Sequence, residues 1–353
     1  MIAATRPTQR PPDARLLVVD ACSRIGHAPR SAFVEFLRRG DLVVANDAAT
    51  LPASLRGTHG PTGSPVEVRL AGRPSLKPED VSRFGAVVFG EGDFRTRTED
   101  RPQPPALSVG DRLVLGPLRA TVERTLGHRR YVSLVFDGTP DEVWAGLARH
   151  GRPIQYAHVR EPLALWDVWT RIAGPPVAFE PPSAGFALDW RTLASMRERG
   201  VGFETITHAA GISSTGDEEL DRLLPFDEPY HISETTAEAV RRAKAQGGRV
   251  VAVGTTVVRA LEHAASADGA VSAGDGVATQ RLGPASRLRV VDAILSGTHE
   301  RGTSHYELLR AFLDDETLLR TTAELDARGY LTHEFGDSVL IERCPKTGQN
   351  RPR

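Results

Sequence analysis

The hydrophobic positions follow two rhythms that change along the chain. "ARLLVVD" (Ala14 to Asp20) is a short apolar run ending in an acid, which predicts a buried strand. "SAFVEFLRRGD" (Ser31 to Asp41) predicts a short helix, and "DLVVAND" a second buried strand with Asn46 and Asp47 at its end. From about residue 58 to 150 the rhythm shortens. "PVEVRLAG", "GAVVFGEG", "GDRLVLG", "RATVERTL" and "RYVSLVFDG" are β-rich runs parted by Gly, Pro and Asp. Such spacing predicts a small all-β module, a barrel inserted into the first domain.

The second half returns to alternating helix and strand. "DWRTLASMRERG" predicts a helix with Asp189 as N-cap, Leu193 and Met196 on one face and Gly200 as its stop, after which "VGFETIT" resumes as strand. In "TTAEAVRRAKAQGG", Thr235 and Glu238 have capping-box spacing, Ala239, Val240 and Ala243 share a face, and Gly247 ends the helix. "RVVAVG" is then a short buried strand, and Thr255 and Thr256 stand where the next helix begins.

Composition narrows the class. With 40% hydrophobic and 25% charged residues the chain is not mostly disordered. Against 44 basic residues stand 45 acidic ones, so no whole-chain field draws it to nucleic acid, and an RNA contact needs a local basic patch. Cys22 and Cys344 are too few and too far apart in sequence for a disulfide framework or a four-ligand zinc site, which fits a reducing cytoplasm. Arginines and prolines fill "MIAATRPTQRPPDAR" where an export signal needs an apolar core, and no run of about 18 apolar residues predicts a membrane span. Lysine occurs only at Lys77, Lys244 and Lys346, which leaves little for Schiff-base catalysis.

Two turns carry candidate chemistry. In Gly254, Thr255 and Thr256, free backbone N–H groups and two hydroxyls at a helix start suit a carboxylate, phosphate or ribose oxygen, with Arg259 and Glu262 further along that helix. The alternative is that the threonines only cap the helix and the two charges are solvated. "EPPSAGFALDW" (Glu180 to Trp190) is a Pro-stiffened turn with Ser183, Ala184 and Gly185 ahead of a helix, and it too reads as a ligand turn or as a plain loop. No metal site is expected: His299 and His305 are six apart, and neither HExxH nor CxxC occurs. The absence of GxGxxG after a strand and of GxxxxGK[ST] argues against a dinucleotide fold and a P-loop.

Taken in order, several segments resemble one family. "GGRVVAVGTTVVRALE" is similar to the GGR-(I/V)-(I/V)-AVGTTS-(V/A)-R-(T/A)-LE segment of S-adenosylmethionine:tRNA ribosyltransferase-isomerases, the queuosine-pathway enzymes. "GDLVVANDAATLPASLRG" resembles GDLLV-(V/F)-NDTRV-(I/L)-PARL-x-G, and "EPPSAGFAL" resembles AAPTAGLHF. Tyr230 matches the tyrosine of WYEIS, "ILSGTHERGTSHYELLRAF" aligns without gaps to LLTNFHLPRSTLLMLVSAF, and "YLTHEFGDSVLI" to YRFFSYGDAMLI. The matches run from about Leu16 to Ile341.

The resemblance implies an α/β catalytic domain, split in sequence as 14–57 and 151–342, with an inserted all-β barrel-like domain at 58–150 and tails at 1–13 and 343–353. It implies transfer and isomerisation of the ribosyl part of S-adenosylmethionine onto the aminomethyl-7-deazaguanine of tRNA. Adenine and methionine leave, epoxyqueuosine forms, and no metal takes part. It also implies substrate-binding roles for Asn46, Ser183, Ala184, Gly185, His208, Gly254, Thr255, Thr256 and Arg259, and catalytic roles among Asp47, Glu228, His299 and Asp337.

The chain departs from the family at polar positions. NDTRVIPAR loses a threonine and two arginines at Ala48, Ala49 and Ser54, the HSE triplet becomes Phe226, Asp227 and Glu228, and the histidine of PTAGLHF becomes Ala187. HVGLGTF becomes "THAAGISS", with His208 about one position from the family histidine, and HLPRST becomes "HERGTS" with His299 kept. Two alternatives follow: a paralogue using S-adenosylmethionine with a small acceptor or water, and a catalytically silent protein that binds an adenosyl ligand.

Overall fold

A computed structural model describes residues 2–343; Cys344, Lys346 and the rest of the C-terminal tail lie outside the described residues. Nine strands form one sheet in the order Gly274–Ala278, Glu228–Ile232, Gly202–His208, Leu42–Asn46, Val250–Val253, Ala293–Gly297, Ser338–Glu342, Arg15–Val19 and Ile25–Pro29. The four from Gly202–His208 to Ala293–Gly297 are mutually parallel, and the central pair, Leu42–Asn46 and Val250–Val253, is nearly free of polar residues, as strands buried on both faces must be. Alternate side chains feed two cores. Val44, Ala252 and Ile294 pack under the helices Glu234–Ala245 and Thr255–His263, whereas Val43, Val251 and Leu295 pack with Phe33 and Met196 on the other face.

Six antiparallel strands between Ser54 and Phe136 close into a barrel, so the inserted β module of the sequence reading is a closed barrel, and no sheet edge is left exposed. Its core is continuous with apolar residues of the α/β part. Phe179, Ile212, Leu220, Leu224 and Phe226 pack in the same cluster as Leu55, Phe84 and Val132. The barrel therefore rests on the loops that follow the parallel strands.

Local chemistry decides most element ends. Asp189 caps the helix Trp190–Glu198 by accepting the Thr192 N–H, as its sequence predicts. The next cap differs from expectation: Ser233, not Thr235, caps Glu234–Ala245, because Ser233 accepts the Thr236 N–H and the helix starts two residues earlier. The segment read as helix from Ser31 forms a 3₁₀ turn, Arg30–Phe36. Among the described residues no helix is long and apolar enough to cross a membrane.

Candidate active site

In chain order the four parallel strands lie second, first, third, fourth across the sheet. The order reverses between Leu42–Asn46 and Val250–Val253, and a crevice for ligand opens beyond the carboxyl ends of strands at such a point. A cavity of about 320 Å³ lies there, walled by Ser183 and Ala184, by Thr255, Thr256 and Arg259, and by Glu228. Its size is that of a small-molecule site.

Gly254 makes the turn from strand to helix with φ +94°, a conformation that disfavours any side chain, and its N–H donates to the Leu295 carbonyl at 2.8 Å. No side chain caps the helix Thr255–His263 that follows. Its first N–H groups thus face the cavity with the positive end of the helix dipole behind them, an arrangement for an anionic or oxygen-rich group. Nor are the helix charges solvated. Arg259 is 4% exposed and Glu262 8%, and Glu262 accepts the N–H groups of Arg289, Val290 and Val291, pinning the segment before the next strand.

Asn46 ties its strand end to the end of Gly202–His208 and to the start of the Thr255–His263 helix. Its amide donates to the His208 carbonyl at 2.9 Å and to the Thr256 hydroxyl at 3.4 Å, and its oxygen accepts the His208 and Ala48 N–H groups, both at 3.0 Å. Asp47 accepts the Thr205 and Thr207 hydroxyls at 2.9 and 2.7 Å. Both residues brace the strand end and neither lines the cavity. Asp337 lies elsewhere again, holding the Arg15 guanidinium at 2.7 Å and the Leu331 N–H at 2.8 Å. Gly185 is behind the wall, where a Cβ would meet the Thr170 side chain at 3.0 Å.

Glu228, at the start of an antiparallel strand, does line the cavity. One of its oxygens accepts the Gly211 N–H at 2.6 Å and the other pairs with Arg259. Burial raises its pKa against the pull of that guanidinium. His208, fully buried 3.6 Å from Glu228, is driven far below the usual imidazole range first by burial and then by Arg259, and so stays neutral. His299 accepts or donates at the Ser296 hydroxyl, 2.8 Å away, and stacks on His305 at 4.8 Å. Burial pushes His299 well down and His305 to about 4, so both rings are neutral near pH 7.

Two cavity residues, Glu180 and His305, and Tyr156 behind the wall were given no site role from sequence. Glu180 takes a hydrogen bond from Tyr156, whose hydroxyl also reaches the Ser214 carbonyl at 3.1 Å, and His305 faces His299. Glu180 opens the "EPPSAG" turn but matches an alanine in AAPTAGLHF, so the motif gave no reason to choose it. The six-residue spacing of the two histidines hides their stacking, because a turn and a new helix at Ser304–Leu309 intervene.

His158, His333 and Glu334 bring their donor atoms within 4.8 Å of one another, the set best suited to a cation. Yet the two rings stack face to face at 4.2 Å and 18°, and His158 Nε2 is engaged by Glu334 at 3.1 Å. Ring lone pairs lie in the ring plane, so stacked imidazoles do not converge on one ion.

Known proteins resemble this chain along nearly its whole length. The family described as Queuosine biosynthesis protein matches residues 1–341. This chain belongs to that family. It is 33% identical over 349 residues, 96% of each chain, to the S-adenosylmethionine:tRNA ribosyltransferase-isomerase of Citrifermentans bemidjiense. The protein of the same name from Thermus thermophilus is 32% identical over 339 residues, 93% of this chain and 92% of that one. The fold is shared with the crystal structure of S-adenosylmethionine tRNA ribosyltransferase from Thermotoga maritima, with a TM-score of 0.50 and 22% identity over 96% of both chains.

Proposed function

We propose that this chain transfers and isomerises the ribosyl group of S-adenosylmethionine onto the aminomethyl-7-deazaguanine of tRNA, working in the cytoplasm and releasing adenine and methionine. The reading is carried by the uncapped start of the Thr255–His263 helix at the sheet reversal, open to the cavity in a chain of this family. The N–H groups there and the Thr255 and Thr256 hydroxyls hold the carboxylate or ribose oxygens of the donor. Ser183 and Ala184 form the facing wall.

The donor's sulfonium makes the adjacent C5′ hydrogens acidic, so one positioned base starts the reaction, and fixing the donor against that base removes much of the orientational entropy. Glu228 is neutralised by Arg259 and shapes the floor. His299, neutral and tied to Ser296, is a hydrogen-bonding group lining the cavity. Asn46, Asp47 and His208 act as positioning residues, and Asp337, bound to Arg15 away from the cavity, has a structural role. No step in this scheme needs a metal. Nucleoside digests of tRNA bearing the aminomethyl base, incubated with protein and S-adenosylmethionine, test the reading by mass: the base gains the ribosyl-derived ring, and an unchanged base with donor consumed would mean another acceptor.

A further inference from the structure

Four carboxylates line the cavity, and three are already engaged. Glu228 holds Arg259 and the Gly211 N–H. Glu307 pairs with Arg310 at 2.7 Å. Asp221 closes its own loop, accepting the Thr215 N–H at 2.6 Å and the Thr215 hydroxyl at 2.5 Å. Glu180 has no basic side chain in an ion pair with it among the described residues; its partners are the hydroxyls of Tyr156 and Ser213 and the Ser213 N–H. It is 8% exposed, and Arg69, across the Tyr156 ring, is taken by Glu67 at 2.9 Å.

Burying a carboxylate without a cation is costly, and a fold keeps such a group where it has work to do. The sequence points the same way. Against AAPTAGLHF, Glu180 replaces an alanine in the very motif where Ala187 replaces a histidine. At the HSE position the imidazole has become Phe226, whose ring stacks on barrel Tyr131 at 4.2 Å and 8°, turned to packing instead of proton transfer. Two family motifs have lost an imidazole, at Ala187 and Phe226, and the cavity wall has gained a carboxylate at Glu180.

We propose that Glu180 is the proton acceptor of this site. Its carboxylate takes a C5′ hydrogen of S-adenosylmethionine as a proton, and the electron pair of the broken C–H bond stays on C5′ beside the positive sulfur. The carboxylate becomes a carboxylic acid and the sulfonium a neutral ylide, so no other reactant is required. Tyr156 and Ser213 orient the carboxylate. Burial and the Glu334 carboxylate raise the pKa of Glu180, the two hydroxyls lower it, and the balance is about 7, suited to a base at neutral pH.

This rests on the ribosyl-transfer reading, so the test separates the two. S-adenosylmethionine deuterated at C5′ is incubated with the modified-precursor tRNA and wild-type, Glu180→Gln or Glu180→Ala protein. Label washout, adenine release and calorimetric binding are read across pH. Wild type that neither binds the donor nor releases adenine ends the ribosyl-transfer reading, and the assignment of Glu180 with it. If wild type turns over, Glu180→Gln and Glu180→Ala should bind the donor within about threefold while turnover and washout fall by about 10²–10⁴, the usual contribution of a general base. Turnover of the alanine variant within about threefold of wild type, with the same pH profile, would overturn the assignment while leaving the reading intact. Should both variants fail to fold, Tyr156→Phe serves: losing a hydroxyl that favours the carboxylate should move the acidic limb of the rate profile upward, and an unmoved limb would overturn the assignment.

Discussion

Glu228 and Arg259 neutralise each other at the cavity floor, one from the start of a sheet strand and the other from the second turn of the Thr255–His263 helix. The guanidinium also donates to the carbonyls of Phe226 at 3.2 Å and Ala278 at 2.7 Å, so it ties the helix to two strand ends. Arg259→Met should therefore destabilise the protein by about 3–5 kcal/mol in denaturant unfolding, because it strands a buried carboxylate. Adding Glu228→Gln should recover part of that loss. A single-variant loss below about 1 kcal/mol would show that water reaches the pair.

Gly254→Ala tests the turn. A Cβ there has room, its nearest neighbours being 3.6 Å away, so the penalty comes from φ +94° and not from a clash. Stability should fall by about 1–2 kcal/mol. Donor affinity measured by calorimetry should weaken as well, since relaxation of φ turns the Thr255 and Thr256 N–H groups. Unchanged affinity would place the donor elsewhere.

Glu180 also makes stability depend on pH. Its folded pKa is raised, from 4.5 to about 7, so the folded state binds a proton that the unfolded state releases. The associated stability is full below about pH 4.5 and is lost as pH rises through about 7, a change of about 3 kcal/mol. Glu180→Gln, neutral throughout, should equal wild type in unfolding free energy near pH 4.5 and exceed it near pH 8. Parallel stability curves for the two proteins would contradict the raised value.

The stacked geometry of His158 and His333 carries its own consequence. Exhaustive dialysis against a chelator should leave turnover and thermal unfolding unchanged, and metal analysis of the purified protein should find less than stoichiometric zinc. A fall in activity restored by zinc would require the rings to turn and Glu334 to leave His158.

Much of the architecture was legible because its causes are local. Short β-rich runs separated by Gly, Pro and Asp marked the barrel strands, and the apolar runs in "DLVVAND" and "RVVAVG" marked the central pair of parallel ones. The helix at Glu234 shows the limit: Thr235 and Ser233 both offer a capping hydroxyl, and only the folded chain shows that Ser233 takes the Thr236 N–H. In the site, Gly254 to Arg259 could be read because the strand-to-helix turn is contiguous in sequence. Glu180, Tyr156 and Glu334 could not, since their meeting depends on how the loop after the barrel folds back on the sheet. Asp47 and Asp337 were chosen as retained acids, and sequence cannot tell an acid that faces a ligand from one that accepts neighbouring hydroxyls or an arginine.

The most direct test of the central claim is mass-spectrometric detection of adenine and methionine from S-adenosylmethionine, with and without tRNA carrying the aminomethyl-7-deazaguanine. Release of both, in equal amounts and only with that tRNA, is the expected result. Release that is independent of tRNA, or none at all from protein shown to bind the donor, would contradict it.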